Sequence, residues 1–161
     1  MENKDLIHKN KLKFMKMAYK EAQKAFSKDE VPIGCIIVDE NGRILAKSHN
    51  QVEKKNNATL HAELIAIQKA TKKTDEKYLM NASIFITLEP CPMCATAISL
   101  AKITNVYIGA EDRKGGAILN GIKLYQNAKN LYKPNVYANI LNDDCSKILK
   151  DFFKKLRNSK N

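Results

Sequence analysis

The chain has 161 residues, of which 44% are hydrophobic, so it is long enough to bury a core and intrinsic disorder is not expected. It contains no stretch near the roughly 18–20 apolar residues of a membrane-spanning helix, and its lysine-rich N-terminus lacks the apolar run of a secretory signal. We therefore expect a cytoplasmic protein without membrane association, whose four cysteines are better explained by metal binding or burial than by disulfides.

The net charge of +11 favours a polyanionic partner such as nucleic acid. Residues 113–161 carry 11 basic and 3 acidic side chains, which is a local excess of +8. Lysine supplies 25 of the 28 basic residues, and an A- and T-rich genome could also produce that bias. The charge therefore supports a nucleic-acid function without establishing it.

The first half of the chain predicts a helix, a β-hairpin and a second helix. Steps of three and four between apolar residues predict a helix over residues 9–28, with the stripe Leu12, Met15, Tyr19, Ala22 and Phe26. A β-branched run over 33–38 predicts a buried strand, and Asn41-Gly42 predicts a turn into a second strand over 43–48. A polar loop over 50–59 precedes a predicted helix over 60–71, whose apolar face would be Leu60, Leu64 and Ile67.

The second half continues this alternation of strands and helices. We predict strands over 82–88 and 103–110, a helix over 90–101 between them, a loop over 113–133 and a short strand over 136–140. A basic helix over about 142–157 would close the chain, with the apolar face Ile148, Leu149, Phe152, Phe153 and Leu156. The order predicts one domain over residues 1–161, an α/β protein of three α/β/α layers with a five-stranded mixed sheet.

Two short motifs supply the residues of a metal site. His61 and Glu63 open the second predicted helix, and Cys91 and Cys94 open the third, 30 residues after His61. One imidazole and two thiolates leave the fourth tetrahedral position of a zinc ion open, which is typical of a catalytic site. Glu63 would lie close enough to accept a proton from a zinc-activated water and to return it to the substrate.

The pairing of His61-Ala62-Glu63 with Pro90-Cys91-Pro92-Met93-Cys94 matches H-x-E and P-C-x-x-C, the signature of the zinc-dependent deaminases of the cytidine-deaminase superfamily. Nearly the whole chain resembles the bacterial tRNA adenosine deaminases of that superfamily. The resemblance implies a cytidine-deaminase type of sandwich, one Zn²⁺ per chain held by His61, Cys91 and Cys94, and Glu63 as the proton shuttle.

Further segments carry the same resemblance, and they are Glu30-Val31-Pro32-Ile33-Gly34, Thr87-Leu88-Glu89-Pro90-Cys91, Gly109-Ala110-Glu111-Asp112 and Asp151-Phe152-Phe153. Asn50 lies where that family has a substrate-contacting asparagine. The resemblance implies a homodimer that hydrolytically deaminates adenosine to inosine at the wobble position of a tRNA anticodon, usually of an arginine tRNA. The family's Lys-Thr-Gly-Ala is replaced by Lys114-Gly115-Gly116-Ala117, in a loop expected to border the substrate.

Other interpretations of these motifs remain open. The metal motif also occurs in deaminases of free bases or nucleosides such as guanine and cytosine, and a zinc-stabilised RNA-binding module is a third hypothesis. Glu89 and Asp112 could be pocket residues or loop caps. The lysine-rich last turns, which contain Lys150, Lys154, Lys155, Arg157 and Lys160, could be a solvated helix face or a phosphate-binding patch. We expect His8 to be solvated, His49 to be structural or part of a pocket wall, and Cys35 and Cys145 to be buried in the core.

Overall fold

The structure is a computed structural model that describes residues 2–161, with side chains from residue 5 onward. Within these residues the helices are α1 (Glu2–Lys9), α2 (Lys11–Ser27), α3 (Ala62–Thr74), α4 (Pro92–Leu100), α5 (Leu124–Asn127) and α6 (Asn142–Ser159). The strands are β1 (Gly34–Val38), β2 (Ile44–His49), β3 (Ser83–Leu88), β4 (Asn105–Ala110) and β5 (Asn135–Tyr137). None of these helices is both long enough and apolar enough to cross a membrane.

The five strands form one mixed sheet in the order β2-β1-β3-β4-β5. β1 pairs antiparallel with β2 and with β3, whereas β3, β4 and β5 run parallel to one another. The crossover from β3 to β4 passes through α4 and the one from β4 to β5 through α5, since parallel neighbours cannot be joined by a tight turn.

Helices cover both faces of this sheet, which confirms the predicted three-layer α/β sandwich. Alternate residues of a strand point to opposite faces, so Cys35 and Ile37 pack in one core with α3 and α4. Ile36 and Val38 pack in the other core, beneath α2 and the start of α6. Because both faces are covered, every residue of β1 is buried, which explains its continuous apolar sequence.

The first predicted helix, over 9–28, corresponds to α2, with its ends displaced by one or two residues. The structure has two helices, separated at Asn10, whose side-chain amide donates to the carbonyl oxygen of Leu6 at 2.9 Å. Of the predicted stripe, Met15 and Ala22 are buried and Tyr19 and Phe26 are half-buried, whereas Leu12 is 47% exposed. The residues of α2 that are buried are Phe14, Met15, Ala18, Glu21, Ala22 and Ala25. Alanines dominate this face because α2 lies very close to β1: a Cβ on Gly34 would lie 1.9 Å from the carbonyl oxygen of Ala18.

The predicted face of α3 is wrong. Leu60, Leu64 and Ile67 are only half-buried, and the buried residues of this helix are Ala62, Glu63, Ile65, Ala66 and Ala70. Small residues again allow the helix to approach the sheet closely. Differences elsewhere are a shorter β5 and the single turn of α5 inside the predicted loop.

Candidate active site

The candidate site lies at one edge of the sheet, where chain segments that are far apart in sequence meet. The parallel strands β3 and β4 both end at this edge, at Leu88 and Ala110. The antiparallel strand β1 begins there, and the backbone N–H of Gly34 donates to Thr87 Oγ1 at 3.0 Å. Ligands commonly bind outside the carboxyl ends of parallel strands, which makes this edge the expected place for a site.

Helices α3 and α4 both begin at this edge, and each carries one of the two motifs. His61 is the residue before the first turn of α3, and Cys91 holds the same position before α4. The hydroxyl of Ser48 donates to the carbonyl oxygen of Ala62 at 2.5 Å and so ties the start of α3 to β2. Pro92 in the first turn of α4 suits a position that has no helical partner for its N–H.

The side chains of His61, Cys91 and Cys94 converge on one point. His61 Nδ1 lies 3.6 Å from Cys91 Sγ and 3.6 Å from Cys94 Sγ. All three ligand atoms lie within 4.8 Å of one another. A tetrahedral zinc ion with bonds of about 2.3 Å to sulfur and about 2.05 Å to nitrogen would separate its sulfur and nitrogen ligands by about 3.6 Å. The three residues therefore fit zinc, and a soft sulfur and imidazole ligand set also favours it.

Glu63 places a carboxylate beside this group. Its side chain is 3% exposed, and Oε2 is buried without a hydrogen-bond partner among the described residues. Burial raises the pKa of Glu63 to about 7. A carboxyl group with such a pKa can both accept and release a proton near neutral pH, which is the property of a general acid–base catalyst.

The two cysteines have different electrostatic environments. A hydrogen bond from the Cys94 thiol, together with the hydrogen bond to His61, lowers the pKa of Cys91 to about 4. The same hydrogen bond, together with burial, raises the pKa of the Cys94 thiol. Cys91 is therefore expected to be a thiolate even without a bound cation, and a bound cation would favour the thiolate form of Cys94 as well.

A pocket of about 950 Å³ opens beside the three converging side chains, and His61 forms part of its wall. Asn50 also lines the pocket; it is 4% exposed, and its Oδ1 has no partner. Among the described residues, Asn50 Oδ1 and Glu63 Oε2 are the buried side-chain oxygen or nitrogen atoms that lack a hydrogen bond. Buried polar atoms are almost always hydrogen-bonded in folded proteins, so both atoms are candidates to bind a molecule that enters the site.

Basic, acidic and aromatic side chains all line the rim of the pocket. Lys114, Lys150 and Arg157 line it, together with the ring of Phe153, which is 44% exposed. The basic side chains of the last turns therefore separate into two groups. Lys150 and Arg157 face the pocket, whereas Lys155 pairs with Asp29 at 2.7 Å.

The remaining histidines and cysteines lie elsewhere. His49 Nδ1 lies 3.1 Å from Glu21 Oε2, so His49 has a structural role between β2 and α2. His8 was expected to be solvated, but its ring packs against Tyr137 with 4.9 Å between the ring centroids. Cys35 and Cys145 are buried in the core, as predicted.

Two buried carboxylates near the pocket hold backbone segments in place. Glu30 was not identified from the sequence, whereas Glu89 was left open between a pocket residue and a loop cap, and the structure shows a loop cap. Glu30 lines the pocket and accepts the backbone N–H groups of Glu53 at 3.2 Å and Lys54 at 2.6 Å. Glu89 accepts hydrogen bonds from the loop that follows β4. The sequence feature that could have indicated such a role is position, since Glu30 lies shortly before the start of β1 and Glu89 directly after the end of β3.

Comparisons with known proteins agree on one group of enzymes. The family model described as MafB19-like deaminase matches residues 9–157. A tRNA-specific adenosine deaminase of Rickettsia bellii is 43% identical over 144 residues, which cover 89% of this chain and 99% of that protein. A solved structure from work on A-to-I editing by tRNA:A34 deaminases superposes with a TM-score of 0.82 at 40% identity, over 84% of this chain and 98% of that one. A guanine deaminase from Nitrosomonas europaea superposes with a TM-score of 0.76 over 86% of this chain and 82% of that one, but at 17% identity it shows a shared fold alone.

Proposed function

The chain matches the MafB19-like deaminase family and belongs to the tRNA-specific adenosine deaminases, and from this premise we propose how its residues carry out the reaction. The reaction is the hydrolytic deamination of adenosine to inosine at the wobble position of a tRNA anticodon. Water replaces the 6-amino group of adenine, so that the C6–N6 bond breaks and ammonia leaves. The observation that carries the assignment to this site is the unpaired Glu63 carboxylate beside the converging His61, Cys91 and Cys94.

We assign His61, Cys91 and Cys94 as the ligands of one zinc ion per chain, which is the metal of this deaminase family. Zinc at this position would act as a Lewis acid that lowers the pKa of a bound water toward neutrality. Glu63 accepts one proton of the attacking water at Oε2 and delivers it to the ring nitrogen N1; it then transfers the proton of the new C6 hydroxyl group to the departing amine, so that the C6–N6 bond breaks and ammonia leaves. Its location two residues after His61 keeps it near the metal without making it a ligand.

We assign Asn50 to substrate binding. Its buried Oδ1 has no partner among the described residues, and Asn50 lines a pocket large enough for a nucleoside, whose wall includes the apolar side chains Val31 and Ile33. A base that enters this pocket must leave the anticodon stack, and the exposed ring of Phe153 offers a stacking surface at the rim. Lys114, Lys150 and Arg157 supply positive charge for the adjoining phosphates.

Three further properties are proposed from the family resemblance. We propose a homodimer, an arginine tRNA as substrate, and a cytoplasmic location, where tRNA is modified. The exposed side chains of Met80 and Leu100 provide apolar surface that a second copy could cover. Light scattering should then give a mass near twice the 18.2 kDa of one chain.

The test of this function uses the purified, zinc-loaded protein and an anticodon stem-loop of an arginine tRNA that carries A at the wobble position. Sequencing should detect conversion of that adenosine to inosine. A stem-loop with A at another loop position serves as the control and should remain unchanged. Ammonia release from free guanine, cytosine, adenine or their nucleosides, with the stem-loop untouched, would contradict the tRNA assignment and favour a small-molecule deaminase.

A further inference from the structure

A single buried carboxylate, that of Glu89, organises the loop between β4 and α5. Glu89 is 3% exposed and lies two residues before the metal-site residue Cys91. Its Oε2 accepts the backbone N–H groups of Ile118 at 3.2 Å, Leu119 at 3.1 Å and Asn120 at 3.1 Å. Its Oε1 accepts the backbone N–H of Asp112 at 3.2 Å and the side-chain amide of Asn120 at 2.7 Å. The carboxylate thus holds both ends of residues 112–120.

The glycine at position 116 is required by this arrangement. A Cβ at Gly116 would lie 2.2 Å from Glu89 Oε2 and 2.5 Å from the carbonyl oxygen of Asp112. Any side chain there would have to displace the carboxylate or the loop backbone. Gly116 is therefore matched to Glu89. The departure from the family's pattern is at Gly115, where a Cβ would instead lie 2.9 Å from Asp112 Oδ2.

The held loop forms part of the pocket wall. Asp112 and Lys114 line the pocket, and Asp112 Oδ1 accepts the backbone N–H of Lys114 at 3.1 Å. The backbone N–H of Ala117 donates to the carbonyl oxygen of Pro90 at 3.0 Å, beside the metal motif. Glu89 therefore fixes the position of this wall relative to the metal-site residues, although it does not itself line the pocket.

We propose that Glu89 is a positioning residue for substrate binding, acting through the 112–120 loop and the contacts that Asp112 and Lys114 make with the RNA. This inference rests on the proposed tRNA substrate. The loop supplies neither a metal ligand nor the proton acceptor, so loosening it should weaken binding of the anticodon loop and leave the chemical step nearly intact. A residue needed only for folding would not separate these two effects.

The primary test is Glu89→Gln, which keeps the size of the side chain but places an amide group against backbone N–H donors. With the wobble stem-loop as substrate, KM should rise at least tenfold, kcat should fall less than threefold, and zinc content should remain one per chain. Hydrogen exchange of the backbone amides of residues 118–120 should become faster. Glu89→Asp, which restores the charge, should recover part of the lost affinity.

Asp39→Asn provides a matched control. Asp39 is also a buried carboxylate that accepts backbone N–H groups, those of Asn41 and Arg43 at 2.9 Å each, but in the β1–β2 turn away from the pocket. This variant should lower the stability of the protein while KM for the stem-loop stays within twofold of the wild-type value. A tenfold rise in KM for Asp39→Asn would overturn the inference, because buried carboxylates would then affect binding wherever they lie.

Gly116→Ala is a second variant that disturbs the same contact from the loop side, and it keeps the inference testable if Glu89→Gln does not fold. It should raise KM to a similar extent, and the double variant should be no worse than the poorer single variant, because both changes break one contact. Unchanged KM in the single variants, or loss of zinc with a matching loss of kcat, would overturn the positioning role. Inactivity of the wild-type protein on the stem-loop would instead refute the proposed function.

Discussion

Glu63, whose Oε2 is buried without a partner among the described residues, is the residue that most clearly distinguishes a catalytic site from a structural one. A structural zinc site has no use for a buried acidic group that does not bind the metal. Leaving a buried acceptor unsatisfied costs about 1–3 kcal/mol, more when it is charged, so its presence indicates a partner that arrives with the substrate or solvent. This argues against a non-catalytic zinc-stabilised module.

We expect Glu63→Gln to reduce kcat on the wobble stem-loop by at least about 10²-fold, which is the lower range for loss of a general acid–base group. Zinc content should remain one per chain, because the side chain is not a ligand. Activity and bound metal should be measured on the same preparation. Glu40→Gln, on the exposed β1–β2 turn, is the control and should change neither quantity. Loss of zinc from Glu63→Gln would show that Glu63 is a ligand.

Glu21 makes a pH-dependent contribution to stability. Burial raises the pKa of this carboxyl group, but hydrogen bonds to Lys24 and His49 outweigh burial, and the net effect is a pKa below the ordinary value of 4.5. A carboxyl group whose pKa is lowered in the folded state stabilises the protein above its unfolded pKa, and this stabilisation is lost as the pH falls through the lowered value.

Glu21→Gln should therefore lower the free energy of unfolding at pH 7 by about 1.5–3 kcal/mol, the range for a hydrogen bond to a charged group. The difference from wild type should shrink as the pH falls below 4.5 and passes the lowered pKa, because the wild-type carboxyl group is then neutral as well. Urea unfolding across this pH range measures both values. A difference that is constant with pH would mean that the effect of the substitution is packing rather than charge.

At the level of elements, the sequence located the helices and strands better than it identified their buried faces. The start of α4 was predicted well because Pro92 and the preceding strand end both indicate it. The predicted face of α3, and Leu12 in the predicted stripe of α2, were wrong because large apolar residues were taken to be buried. The close contact at Gly34 instead requires alanines on the packed face, and Leu12 remains exposed. Such a close approach depends on how the helix packs against the sheet, and this packing cannot be predicted from the sequence of the helix alone.

Helix α6 places two of its basic residues at the pocket and leaves the others on the solvated side. Lys150→Gln with Arg157→Gln should weaken stem-loop binding and reduce the slope of log K against log salt by roughly 1.4–1.8, since each lost phosphate contact removes about 0.7–0.9. Lys154→Gln with Lys160→Gln removes the same charge from exposed positions away from the pocket lining and is the matched control. Equal changes in slope for the two pairs would mean that net charge, rather than the rim, attracts the RNA.

At the level of the whole molecule, the convergence of the candidate metal ligands could be predicted and much of the pocket could not. His61, Glu63, Cys91 and Cys94 form two short motifs whose spacing is visible in the sequence, and the structure brings all four together. The pocket wall is assembled from separate segments, near Glu30, Asn50, Leu88, Ala110 and Lys150. They meet because β1 runs antiparallel to β3 while β4 runs parallel to it, a tertiary relation that local patterns do not contain.

Zinc should stabilise the fold as well as activate the reaction, because its proposed ligands join the starts of α3 and α4. At a free zinc concentration a thousandfold above Kd, binding to the folded state alone contributes about 4 kcal/mol. For a domain of this size each kcal/mol corresponds to roughly 2–4 °C in Tm, so removal of zinc by a chelator should lower Tm by about 8–16 °C.

His61→Ala supplies the comparison for this effect, since it should lower Tm in the presence of zinc and show no further drop with chelator. Adding zinc back should restore Tm for the wild-type protein but not for the variant. Calorimetry and metal analysis on the same samples would decide the matter. A chelator-induced drop of equal size in His61→Ala would mean that zinc acts at another site. Full zinc content in His61→Ala would show that His61 is not a ligand. Zinc would then not join the start of α3 to the start of α4 through His61, and the expected stabilisation would lose its structural reason.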